Sequence, residues 1–263
     1  MRDEDAGRLR RADGEELAWR RVRGLSPTVL WLGGFHSDMS GTKAEHLAAW
    51  AHRNHCDFLR FDYFGHGASS GDFAKGTIGR WRDDVLAVLD DLTTGPVCVV
   101  GSSMGGWLAL LAAKARPVRI ADLVLIAPAT DFTERLMGPG LPPEAHAALA
   151  RDGQWTRPSP YEDGGYVVTA ELLQEGRRWC LLDQPISFSG RVRILQGRDD
   201  RDVPWSHALQ TFEALTATDM TFTLIRDGDH RLSRPQDLEL LSATLDGLSF
   251  LAEGQAEAGI LPT

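Results

Sequence analysis

Six short, mostly apolar runs punctuate the chain at residues 28–32, 57–61, 97–100, 122–126, 191–195 and 220–225. Thr28-Val29-Leu30-Trp31-Leu32 and Val97-Cys98-Val99-Val100 hardly alternate with polar residues. Such continuity predicts strands covered on both faces, as in a parallel sheet. Between the runs the period lengthens. Leu47 and Trp50 lie about one turn apart within 43–54, and Ile78, Trp81, Val85, Val88 and Leu92 share one stripe of 78–92. Residues 104–115 are rich in Ala and Leu, and 205–215 and 236–250 complete the helical series. Strand and helix alternate, which predicts an α/β fold with a mostly parallel central sheet and helices on both faces.

Two segments depart from this rhythm. Residues 8–12 and 17–23 flank Asp13-Gly14-Glu15, and Asp-Gly between short runs predicts a hairpin that adds an antiparallel edge. From about 129 to 187 the chain carries Met137-Gly138-Pro139-Gly140-Leu141-Pro142-Pro143 and Trp155-Thr156-Arg157-Pro158-Ser159-Pro160-Tyr161. An insertion this long between strands is usually functional. It reads as a lid within one 1–263 domain, with Trp155, Tyr161, Tyr166 and Trp179 as candidates to line an apolar pocket. There is no internal repeat.

Composition adds exclusions. A net charge of −9 weighs against nucleic acid and anionic lipid as partners. The basic cluster Arg8, Arg10, Arg11, Arg20, Arg21 and Arg23 falls in the expected hairpin and reads as a solvated face. Cys56, Cys98 and Cys180 are odd in number, widely spaced and without metal-ligand or redox spacing. Reduced structural thiols in a cytoplasmic setting, with no bound metal, are therefore expected. The charged N-terminus does not resemble a signal peptide, and no apolar run approaches membrane-spanning length.

Candidate chemistry sits at the ends of the expected strands. Gly101-Ser102-Ser103-Met104-Gly105 fits Gly-x-Ser-x-Gly, a weak signal alone. Here an apolar strand leads in and a helix leads out, the setting of a nucleophile elbow. Ser103 is thus the candidate nucleophile; the flanks of Ser102 do not fit the pattern. A serine hydroxyl needs a base, and in this setting the chain order is Ser, acid, His. Three histidines lie downstream. His146 falls in the insertion and His207 in a helix, whereas His230 follows strand 220–225 directly, so His230 is the expected base. The acid should follow strand 191–195, where Asp199, Asp200 and Asp202 compete. Asp200 is favoured, three residues after Gly197 and three before Val203-Pro204. Two oxyanion donors are expected, the backbone N–H of Met104 and that of Phe35 in Gly33-Gly34-Phe35-His36. His36 reads as loop support.

These residues resemble the α/β-hydrolase fold family. Asp62-Tyr63-Phe64-Gly65-His66-Gly67-Ala68-Ser69 is similar to the Asp-x-x-Gly-x-Gly-x-Ser segment of its members, Gly197-x-x-Asp200-x-x-Val203-Pro204 to their acid loop, and Asp229-His230 to their histidine loop. More narrowly, Gly34 to Gly41, Gly101 to Trp107, Ala127 to Thr133 and Asp227 to Ser233 resemble the mitochondrial palmitoyl-protein thioesterase (acyl-glucuronide esterase) family and its bacterial relatives. The resemblance implies a serine hydrolase of carboxylesterase or acyl-thioesterase type, with no cofactor. Its substrates would be small acyl esters or thioesters, with an acylated protein as a further class. Many relatives carry His-Gly before the oxyanion residue. Here the pair is Gly33-Gly34, which changes the support of that loop. A peptidase, a carbon–carbon bond hydrolase and a non-catalytic small-molecule receptor are the competing readings on the same fold.

Overall fold

The computed structural model describes residues 4–158 and 165–248. Its core is an eight-stranded sheet. The opening hairpin forms as expected, from β1 (Asp5–Arg10) and β2 (Glu16–Val22), paired antiparallel. Gly14 takes φ +91° in the turn, a conformation open to glycine at little cost. The rest of the sheet is β3 (Leu25–Leu32), β4 (Cys56–Phe61), β5 (Val97–Ser102), β6 (Ile120–Ile126), β9 (Arg191–Gly197) and β10 (Met220–Ile225). The order is β1-β2-β4-β3-β5-β6-β9-β10. β2 runs antiparallel to β4, and every pairing beyond β4 is parallel.

The apolar runs are explained by two cores, one on each face. Val29, Trp31, Cys98 and Val100 pack with Leu47, Trp50 and Ala51 of α1 (Thr42–Asn54) and Leu241 and Leu245 of α7 (Pro235–Asp246). The intervening Leu30, Leu32, Val97 and Val99 pack with Trp81, Val85 and Leu89 of α2 (Ile78–Leu92) and Leu108 and Leu111 of α3 (Met104–Ala115). Successive side chains of a strand face opposite ways, so apolar cover on both faces removes the alternation. α6 (Trp205–Ala214) ends one residue short of its expected span, and α7 ends at Asp246 where the sequence pattern predicts a helix to 250; residues 249–250 lie outside the described residues.

The segment between β6 and β9 holds elements that the sequence pattern does not indicate. A π-helical turn (Thr133–Met137) precedes α4 (Pro143–Asp152), a small hairpin of β7 (Gln154–Arg157) and β8 (Tyr166–Thr169), and α5 (Ala170–Gly176). Its two ends are tied together. The buried Asp131 carboxylate accepts the N–H groups of Leu181 (2.9 and 3.0 Å) and Leu182 (2.9 Å).

The basic cluster is not simply a solvated face. Arg21 donates two hydrogen bonds, 2.8 and 2.7 Å, to the buried Asp57. Cys56 and Cys98 are buried free thiols, and burial pushes the Cys56 thiol up to about 12. A thiol held protonated this firmly is a poor nucleophile.

Candidate active site

β5 ends one residue before Ser103 and α3 begins one residue after it, so the serine occupies a sharp strand-to-helix turn. Its backbone is held at φ +55°, ψ −118°. Such conformations cost about 1–3 kcal/mol and persist only where neighbours over-determine them. Here they do. Ser103 N–H donates to Ile126 O (2.9 Å), while Ser103 O accepts Gly106 N–H (2.9 Å) and Ala129 N–H (3.1 Å). The glycines allow the crossing to be this close: a Cβ on Gly101 would meet Gly105 O at 2.3 Å, and one on Gly105 would meet Leu32 O at 2.1 Å. Ser102, the neighbouring serine, is the buried last residue of β5.

His230 lies in the loop after β10. Its Nε2 is 3.1 Å from Ser103 Oγ, and its Nδ1 is 2.8 Å from Asp200 Oδ2. Asp200 is buried in the turn after β9, whereas Asp199 and Asp202 are exposed. Every visible partner of the Asp200 carboxylate is a donor group. Oδ1 accepts Asp202 N–H (2.9 Å) and Val203 N–H (2.8 Å), and Oδ2 accepts Gln196 Nε2 (3.1 Å) as well as facing His230. Gln196 is fully buried on β9, and its amide nitrogen also faces Gly197 O (3.0 Å) and Val203 O (3.1 Å). Three acceptors around one nitrogen fix which way the amide points. Among the described residues, Asp200, Asp202 and His230 are the group whose ligand atoms approach within 4.8 Å of one another. A cation there would have to displace the donors already on Asp200.

The two loops carrying Asp200 and His230 are joined through their backbones. Arg198 N–H donates to Ile225 O (2.8 Å) and Asp199 N–H to Gly228 O (2.9 Å). From the other side the half-buried Lys43 ammonium of α1 donates to Arg231 O and to Ser233 Oγ (3.4 Å), and loss of hydration lowers this amine to about 8. His207 and His146 stand apart from the serine. His207 is buried on α6 with Nε2 2.7 Å from Thr130 O, and His146 is exposed on α4.

The expected oxyanion loop leaves the end of β3 beside the serine: a Cβ on Gly34 would lie 3.4 Å from Ser103 Cβ. Ser37 N–H donates to Gly34 O (3.3 Å), which makes Phe35 and His36 the central residues of a four-residue turn. His36 sits at φ +58°. Positive φ at the third turn position normally selects glycine or asparagine, and for histidine it costs about 1–2 kcal/mol. Met104 N–H is the first of α3 and has no acceptor inside its own helix. The N-terminus of α3 points at this spot, where its dipole favours negative charge.

The support that Gly33-Gly34 leaves open comes from the Asp62–Ser69 segment. Tyr63 Oη donates to Gly33 O (3.1 Å). Asp62 accepts Met39 N–H (2.7 Å) and Ala68 N–H (2.8 Å). His66 Nε2 faces His36 N–H at 3.3 Å, and His66 Nδ1 faces Phe64 O at 3.1 Å. Only the Nδ1-protonated neutral ring satisfies both. Burial, with the neighbouring His36 adding to it, lowers His66 to about 4. Sequence reasoning missed Gln196, Lys43, Tyr63 and His66 in these roles; the one signal available was His66 inside the Gly-x-Gly segment.

Two cavities open at Ser103 and His230. One, of about 270 Å³, is lined on its far side by polar groups, among them Ser37, Asp38, Lys43 and Arg231. The other, of about 190 Å³, is lined by Met104, Ala129, Phe132, Leu136, Met137 and Val203, with Arg157 and Asp202 also on its wall. The expected aromatic lining needs correction. Tyr166 lines both cavities, but Trp155 and Trp179 pack against the core instead, and Tyr161 lies outside the described residues.

Comparison with known proteins agrees with this fold. The sequence profile of the Alpha/beta hydrolase family matches residues 24–239. The chain is 39% identical over 241 residues to the palmitoyl-protein thioesterase ABHD10, mitochondrial, of Mus musculus, covering 91% of this chain and 81% of the relative. The crystal structure of a hydrolase from Agrobacterium vitis S4 is 39% identical with a TM-score of 0.90, covering 94% of this chain and 99% of the other. The structure of alpha/beta hydrolase domain-containing protein 10 from mouse is 37% identical with a TM-score of 0.85, covering 93% and 98%. The chain belongs to the alpha/beta hydrolase family, in the group that includes the ABHD10 palmitoyl-protein thioesterases.

Proposed function

We propose that this chain hydrolyses carboxylic ester or thioester bonds of an acyl substrate through an acyl-enzyme on Ser103. The observation that carries the reading is the hydrogen-bonded run from Ser103 Oγ to His230 to the buried Asp200, placed where two cavities meet. His230 Nε2 takes the hydroxyl proton as Ser103 Oγ bonds to the acyl carbon. Asp200 holds the ring with its proton on Nδ1 and stabilises the imidazolium. The carbonyl oxygen gathers negative charge opposite Met104 N–H and Phe35 N–H. Collapse expels the alcohol or thiol, which leaves with the proton from His230. Water then attacks the acyl carbon, giving its proton to His230, and the released Ser103 oxygen recovers that proton. No cofactor enters these steps.

Residues 129–187 serve in this reading as a lid on a single domain. Phe132, Leu136 and Met137 of that segment would enclose the acyl group, with the leaving group in the cavity that Ser37, Asp38, Lys43 and Arg231 help to line; the substrate is a small acyl ester or thioester, with an acylated protein as the larger alternative. Among the described residues no helix is long and apolar enough to cross a membrane. The free cysteines fit a reducing compartment, and we place the chain in the cytoplasm, while the mouse relative is named mitochondrial.

The size of the apolar cavity sets a test. A cavity of about 150 Å³ encloses benzene. By that measure the 190 Å³ here encloses about seven or eight heavy atoms, less than a palmitoyl chain. In a series of p-nitrophenyl esters and acyl thioesters, kcat/KM should rise with acyl length to about eight carbons and then level off, with peptides left intact. A steady rise through palmitoyl would contradict the volume argument. Peptide cleavage without ester cleavage would overturn the function.

A further inference from the structure

We propose that His66 is a positioning residue for the oxyanion loop: as a neutral acceptor it holds His36 N–H, and through it the turn whose other central residue, Phe35, carries the expected donor N–H. The proposal rests on the acyl-transfer reading above. It joins two observations. His36 occupies a left-handed conformation that favours glycine at that turn position. Turning over the peptide between the two central turn residues, which carries Phe35 O and His36 N–H, would relieve it, because the alternative turn has negative φ at both, and would release from His66 the turn on which Phe35 sits. The hydrogen bond from His36 N–H to His66 Nε2 opposes that flip.

The ring itself cannot easily turn away. Its Nδ1 faces Phe64 O, and its plane meets Tyr63, Phe73 and Trp81 edge-on at centroid separations of 5.4, 5.0 and 5.2 Å. Trp81 Nε1 donates to the same Phe64 carbonyl at 3.0 Å, so the acceptor of His66 is fixed as well. Tyr63 Oη holds Gly33 O at the other end of the loop. The turn is therefore gripped on both sides by one short segment of chain, and His66 grips the strained side. The ring is buried and stays neutral at ordinary pH, which keeps Nε2 an acceptor.

Two substitutions separate positioning from packing. An asparagine amide can reach the place of Nδ1, and a glutamine amide the place of Nε2. His66→Asn keeps a donor for Phe64 O and loses the acceptor for His36 N–H; His66→Gln keeps that acceptor. Removing an oxyanion donor outright costs about 100- to 1000-fold in rate. With the donor displaced rather than removed, His66→Asn should lower kcat by about 10- to 100-fold with KM within about twofold. His66→Gln should recover most of that rate at a similar Tm. Equal rate losses in the two variants, losses that follow Tm, or a change confined to KM would overturn the proposal. Where His66→Asn does not fold, His66→Gln alone decides: kcat near wild type supports it, and a loss beyond about tenfold overturns it. A wild type inactive on every ester and thioester overturns both this proposal and the function it rests on, whereas an active wild type with an unimpaired His66→Asn overturns this proposal alone.

Discussion

Ser103→Ala should lower kcat by about 10⁶-fold on any ester or thioester that the wild type cleaves. The hydroxyl is the only nucleophile the proposed route uses, and the buried thiols of Cys56 and Cys98 are held protonated by their surroundings. Alanine keeps the Cβ, so the turn at φ +55° stays as strained as before and Tm should move little. KM should also hold, because the cavity walls are other residues. The rate that remains should still exceed that in water by about 10³- to 10⁴-fold, since Phe35 and Met104 would continue to stabilise charge. Steady-state kinetics with a thermal melt on the same samples checks all of this. A variant that retains more than about one part in a hundred of the wild-type kcat would remove Ser103 from the mechanism.

Asp200→Asn has the second largest expected effect, a drop in kcat of about 10⁴-fold, by an indirect route. An amide has one acceptor side, whereas the carboxylate it replaces is surrounded by donors on both. If the NH₂ group faces Asp202 N–H and Val203 N–H, two backbone donors, one of them buried, lose their acceptor. If it faces the other way, it meets Gln196 Nε2 and His230 Nδ1. Gln196 cannot turn over without parting from Gly197 O and Val203 O. His230 would then have to accept at Nδ1 and carry its proton on Nε2, pointing at Ser103, which removes the base. Asp199→Asn and Asp202→Asn remove exposed charges and should change kcat by no more than a few-fold. Equal losses among the three variants, or the largest at Asp202, would show that the acid has been misassigned.

What the sequence made legible follows from range of interaction. The strands of the parallel sheet announced themselves because each is apolar on both faces. Ser103, Asp200 and His230 could be named because each follows a separate strand, and parallel strands deliver their C-terminal loops to one edge of the sheet. Local spacing favours Asp200 among three aspartates, and it is the one whose carboxylate is hydrogen-bonded to His230. Gln196 and His66 act through contacts that spacing does not encode. Gln196 reads as one polar residue near the end of an apolar strand, and the acceptors that make it useful come from the turn beyond. His66 grips a loop thirty positions upstream.

The segment between β6 and β9 was opaque for a different reason. α4 buries a single residue, Ala145, so it has no apolar stripe to detect. β7 and β8 have four residues each, too short for a period. The ends of the segment are joined by Asp131 reaching Leu181 and Leu182 some fifty residues away, and β8 is anchored by Val168 in the core. Aromatic residues there suggested a pocket lining, but Trp179 instead receives the Trp107 indole N–H on its carbonyl at 3.2 Å. Leu136 and Met137, beside the glycine-proline run, line the apolar cavity in its place.

The central claim is that an acyl group passes through Ser103. The most direct measurement is mass spectrometry of the folded protein, quenched early during turnover of an activated acyl ester and also after treatment with a fluorophosphonate. The account predicts one acyl adduct per chain, or one phosphonyl adduct, on the peptide that carries Ser103, and none in Ser103→Ala. An unmodified Ser103 in protein that turns over substrate, or an adduct on any other residue with turnover intact, would contradict it.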